Sequence, residues 1–158
     1  NIYGGHWLGT HLQDLERALL RPEARIRACM TGPASPALPA LSYHFEGRPV
    51  PELQKAINEG TAGLLDVHAR ARARSANTGQ LKVYHCSNMI NHSFYRFDDV
   101  IYFTPRPLCS SRNAATPIPC FSFRKTNSPT GAHDWMMRDF EELLRSAHDT
   151  TLVFNSHP

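Results

Sequence analysis

Asn91-His92-Ser93-Phe94-Tyr95-Arg96-Phe97-Asp98-Asp99-Val100-Ile101-Tyr102-Phe103-Thr104-Pro105 is the stretch that decides the fold. Aromatic and β-branched residues fill it, Asp98-Asp99 interrupts it and Pro105 closes it, which predicts two strands joined by a tight turn. His92, Phe94 and Arg96 share the two-residue period of one strand face, while Tyr95 and Phe97 face the other way. One face of the first strand therefore carries an imidazole and a guanidinium, both able to bind an oxyanion.

Upstream of this hairpin, Leu81-Lys82-Val83-Tyr84-His85-Cys86 alternates as a strand does. Before it, Leu53, Ala56, Ile57, Leu64, Val67, His68 and Ala71 repeat on one helical face, predicting a helix from Glu52 to about Arg74. Arg70, Arg72 and Arg74 close that helix. Cations at a helix C-terminus meet the negative end of its dipole, so a structural role outweighs a nucleic-acid one. Arg25 to Thr31 is a further alternating strand, ending in Gly32-Pro33-Ala34-Ser35-Pro36. The proline-rich tract from there to Pro51 predicts a surface excursion.

At the start, Ile2 to Trp7 is expected to be a strand running into Gly4, Gly5 and Gly9. Thr10-His11-Leu12-Gln13 fits a capping box for a helix carrying Leu12, Leu15 and Leu19. A glycine turn feeding a helix N-terminus makes Gly4, Gly5 and His6 candidate ligand contacts, with a plain strand-to-helix turn as the alternative. Downstream of the hairpin, Arg106 to Pro119 is a long loop in which Arg112 and Asn113 are candidate phosphate and ligand contacts. Ile118 to Arg124 is a strand. Asp134 is the expected cap of a helix bearing Met136 or Met137, Phe140, Leu143 and Leu144, and Thr151 to Phe154 is a terminal strand.

The expected architecture is α/β, one domain over residues 1–158 with a mixed, mostly parallel sheet flanked by helices. The chain enters Ile2-Tyr3 as a strand already under way, so a longer parent chain with an upstream module is expected. Hydrophobic content of 41% and charged content of 20% suit a globular domain, and no apolar run suits a membrane span. A net charge of +3 permits an anionic ligand without the strong basic bias of a nucleic-acid binder. Cys29, Cys86, Cys109 and Cys120 form no Cys-x-x-Cys pair, which favours buried free thiols and a reducing, cytoplasmic compartment. Nine histidines without ligand spacing predict no metal site, and no cofactor motif is present.

His92 and Asp99 stand at the spacing of the His-x-Lys-x-x-x-x-Asp motif, so the chain resembles the phospholipase D superfamily. The likeness runs from Ile2 to about Ala147. Phe94 occupies the lysine position, and Thr104-Pro105 stands near the place of the family's Gly-Ser. The chain is also similar to bacterial phospholipase D-like domains fused to other modules, through Pro33-Ala34-Ser35-Pro36 and Phe97 to Pro105.

The resemblance implies a histidine nucleophile at His92, with Asp99 as its motif partner and a second copy of the chain supplying the second histidine. Without the lysine, a transition-state contact worth on the order of 3 kcal/mol is missing. Arg96 could bind phosphate in its place, though about 7 Å along the strand. Two expectations follow. One is a catalytically degenerate domain that binds or senses a phosphate-bearing ligand such as a nucleotide. The other is a homodimeric single-motif phosphodiesterase or nuclease. Alone, His92 fits a strand histidine satisfied by a backbone carbonyl or by Asp99, and Asp98-Asp99 fits ordinary turn chemistry.

Overall fold

Apolar residues that alternate along Arg25–Thr31 (β1) and Gln80–Cys86 (β2) feed two separate cores, one on each face of a sheet. The computed structural model describes residues 5–44, 47–88, 92–105, 119–127, 130–146, 148 and 150–156. β1 and β2 pair in parallel, with Arg25 opposite Gln80 and Thr31 opposite Cys86. The third strand of this sheet, β6 (Thr150–Asn155), runs antiparallel to β2 with a shift in register between Val83 and Tyr84. A second sheet is wholly antiparallel: β3 (His92–Phe97), β4 (Val100–Pro105) and β5 (Phe121–Arg124).

The α/β class and the mixed sheet flanked by helices are as expected. The parallel share is smaller: among the described strands only β1 and β2 pair in parallel. Theirs is the connection made by a helical crossover, whereas hairpin chemistry governs β3 and β4 and returns them antiparallel.

One face of the first sheet presents Ala28, Met30, Leu81 and Val83 to α1 (Gly5–Leu19) and α3 (Val50–Arg74), whose Leu19, Leu64, Val67 and Ala71 complete a core that is at most 5% exposed. The two helices are also tied electrostatically. Arg70 Nε and Arg74 Nη1 donate to the Glu16 carboxylate at 2.9 and 2.8 Å, and these guanidiniums hold its carboxyl below the usual carboxylate range. The arginine cluster that closes α3 thus serves the helix pair.

Three expectations about local structure are corrected. Gly5, His6 and Trp7 lie in α1 and not in a strand, so Thr10 falls inside the helix and not at its N-terminus. The stripe of Leu12, Leu15 and Leu19 against α3 outweighs the helix cost of Gly5 and Gly9, about 1 kcal/mol each. The proline-rich tract contains α2 (Leu38–His44), whose Leu38 and Leu41 are buried with Leu53 of α3. Pro39 is compatible because it sits in the first turn, where its missing N–H is not needed. Finally, Gly131 and not Asp134 caps α4 (Ala132–Arg145), with extended backbone at φ −67° and ψ 153° and no side-chain capping bond.

His85 points to the α1–α3 side, where its Nε2 lies 2.9 Å from Thr61 Oγ1. Thr61 Oγ1 donates its one proton to the Ile57 carbonyl, so His85 Nε2 is the donor. Burial pushes the His85 pKa below its ordinary 6.5. The unfolded chain then binds a proton that the folded chain resists, so stability is full above 6.5 and declines as pH falls from there through the lower folded value. Urea midpoints at about pH 7.5 and about pH 5.5 check this. The expected result is a lower midpoint in acid and a smaller drop in His85→Gln.

Among the described residues no helix is long and apolar enough to cross a membrane.

Candidate functional site

The opposite face of the first sheet carries Cys29, Tyr84 and Cys86, and against it pack Ile101 and Phe103 of β4, Phe123 of β5, and Met136 and Phe140 of α4. This second core fixes α4 beside the three-stranded sheet. Cys29 and Cys86 are free and buried, and the adjoining Cys86 together with burial pushes the Cys29 thiol up, which leaves it inert.

The β3–β4 hairpin closes as expected through Asp98-Asp99, with Phe97 opposite Val100. Asp98 has φ 49°, a left-handed conformation that aspartate tolerates in turns. The same register separates the motif residues. His92 pairs with Pro105 at the far end of β3, and Asp99 is exposed in the turn, so roughly 20 Å of extended chain lies between them. His92 is half-buried, with its ring 5.2 Å from that of Phe103. Asp99 engages the site through its backbone, its carbonyl accepting from Lys125 N at 2.7 Å.

Arg96 is placed differently. Its Nε donates to the Asp98 carbonyl at 2.7 Å, which holds the guanidinium at the turn end of β3. There it lines an open cleft of about 290 Å³ together with Lys125, which follows β5, and His133, Asp134, Met137, Arg138, Glu141 and Arg145 of α4. The α4 residues recur at spacings of three and four, which brings them onto one helical stripe.

Four cationic side chains thus face two carboxylates. One of the two is already matched from outside the cleft: Arg27 of β1 donates to Glu141 Oε2 and Oε1 at 2.8 and 2.5 Å. Arg27, and behind it Arg145 and Arg96, hold the Glu141 carboxyl below the usual range, so it stays ionised and paired. The lining as a whole carries more positive than negative side chains.

His133 is 3% exposed, and neither ring nitrogen has a hydrogen-bond partner among the described residues. Asp134 Oδ1 lies 3.7 Å from its Nδ1, near enough for charge attraction and too far for a hydrogen bond.

Of the described residues expected at a site, the structure therefore brings Arg96 alone into the cleft and leaves His92 and Asp99 apart. Gly5 and His6 belong to α1. Gly4, Arg112 and Asn113 lie outside the described residues. Lys125, Arg138 and Arg145 carry no signal in the sequence reading, and His133 enters it only among the scattered histidines that make no metal site. The detectable signal was the spacing of Asp134, Arg138, Glu141 and Arg145, which resembles any solvated helix face. Comparison with protein-family models, with curated proteins and with solved structures gives no match.

Proposed function

We propose that the chain is a catalytically degenerate, phospholipase D-like domain that binds or senses a phosphate-bearing small ligand, such as a nucleotide, in the cleft between α4 and the β3–β4 turn. The observation that carries this reading is the convergence of Arg96, Lys125, Arg138 and Arg145 around a buried histidine, with Glu141 already neutralised by Arg27. Guanidinium groups suit phosphate because their planar donors match its oxygens in pairs. In this reading the domain passes its ligand state to a fused module, and the free thiols Cys29 and Cys86 fit a cytoplasmic setting.

The test is a thermal-shift panel of phosphate-bearing compounds, run beside a turnover assay on bis(p-nitrophenyl) phosphate. A ligand present at about 100 times its Kd stabilises by about 2.7 kcal/mol. That shift is expected in the wild type and is expected to collapse in Arg96→Ala/Arg145→Ala, with no turnover in either. Steady turnover abolished by His92→Ala would overturn the reading in favour of a homodimeric phosphodiesterase.

A further inference from the structure

The face of the β3–β4–β5 sheet turned away from α4 carries a surface of a different kind. Directly opposed residues of antiparallel strands share a face. Arg96 and Phe123 stand opposite Ile101, so all three belong to the side that meets α4. On the other side Phe97, Val100 and Arg124 form one row across the three strands, and Tyr95, Tyr102 and Ser122 form the row beside it. Tyr95 is packed against the first core, whereas Phe97 is 58% and Tyr102 41% exposed. The fold covers one aromatic of this face and leaves two in water beside a guanidinium.

We propose that this surface binds single-stranded nucleic acid, with bases stacked on Phe97 and Tyr102 and the backbone held by Arg124 and Lys125. It goes beyond the cleft reading and shares only Lys125 with it.

Ring geometry selects a strand over a lone nucleotide. The two rings lie 6.2 Å apart with their planes crossed at 65°. One flat base cannot lie on both, so each ring takes a separate base, as unstacked bases of a single strand allow. Ser122, exposed opposite Tyr102, places a hydroxyl where a base edge needs a donor or an acceptor.

Charge selects a nucleic acid over an apolar protein surface. Among the described residues Arg124 and Lys125 enter no ion pair. An apolar partner over the Phe97 row would bury the Arg124 guanidinium without a counter-charge, whereas a strand brings a phosphate to it. The exposed Asp98 and Asp99 repel phosphate at the hairpin turn, so the backbone is expected on the β5 side of the rings. A net charge of +3 exerts little general pull on a polyanion, which leaves stacking as the main source of affinity.

The experiment is fluorescence anisotropy with labelled oligothymidylate and an abasic strand of the same length. The proteins are the wild type, Phe97→Ala/Tyr102→Ala, Tyr102→Phe and Arg124→Ala. The wild type is expected to bind oligothymidylate, with the abasic strand at least about tenfold weaker. Phe97→Ala/Tyr102→Ala is expected to lose at least about tenfold, and Tyr102→Phe, which keeps the ring, to bind as the wild type does. Arg124→Ala is expected to weaken binding and to reduce the slope of log affinity against log salt by about 0.7. Should the double variant fail to fold, the abasic strand and Arg124→Ala still decide. No binding by folded wild type, equal affinity for the abasic strand, or affinity unchanged in a folded Phe97→Ala/Tyr102→Ala would overturn the proposal. Self-association of the wild type in light scattering, lost in the double variant, would assign the face to a second copy of the chain and overturn it as well.

Discussion

Ile101→Ala is expected to destabilise the protein by about 3–4 kcal/mol and to weaken ligand capture in the same variant. Ile101 is fully buried at the centre of the second core, where it meets Cys29 and Cys86 of the first sheet and Met136 and Phe140 of α4. Truncation removes its transfer energy and leaves a cavity that the flanking sheets close only in part. The functional consequence follows from position. Arg96 is opposite Ile101 in the β3–β4 register, so loosening this core lets the hairpin shift against α4 and separates Arg96 from Arg138 and Arg145. Urea unfolding gives the first effect and phosphate titration the second. A loss under about 1 kcal/mol with unchanged affinity would mean that the second core does not hold the cleft.

Gly79→Ala is the other large expected effect, about 3 kcal/mol. A Cβ on Gly79 would stand 2.7 Å from both the Arg21 and Ala24 carbonyl oxygens and 2.8 Å from Ala24 Cβ. Those atoms belong to the turn between α1 and β1, and backbone there has little freedom to retreat. Relief would stretch the bonds by which Gly79 N donates to the Leu19 carbonyl and Gln80 N to the Ala24 carbonyl, each 2.8 Å. These bonds align β2 with β1 at the start of the parallel pair. Denaturant midpoints of Gly79→Ala and the wild type check the expectation, and midpoints that coincide would contradict the close approach.

The elements that declare themselves in the sequence are those whose local chemistry and tertiary contacts agree. The hairpin has turn residues at Asp98-Asp99 flanked by aromatic strands, and α3 has an uninterrupted apolar face, so both are legible. The first turn of α1 is not, because Gly5 and Gly9 argue locally against a helix that packing on α3 then enforces. In α2, Pro39 hides a helix start, and the burial of Leu38 and Leu41 depends on Leu53 in the next helix.

The site shows the same division. Arg96 is legible as a candidate anion contact from its strand and face, and it does line the cleft. His92 and Asp99 matched a linear spacing, but an extended strand turns sequence spacing into distance. The cleft itself is hidden, because it forms only where α4 meets Arg96, more than thirty positions earlier in the chain. His133 gave no local sign of burial, and the α4 charges carry the pattern of a solvated surface.

The anion is expected to bind between α4 and the turn end of β3, and not around His92 at the far end of that strand. Amide chemical-shift mapping of the ¹⁵N-labelled protein during titration with pyrophosphate tests it directly. Saturable shifts are expected at Gly131 to Arg138, Arg96 and Lys125, with Ser93 and Thr104 unmoved. Shifts concentrated instead around His92, Ser93 and Thr104, with α4 silent, would contradict it.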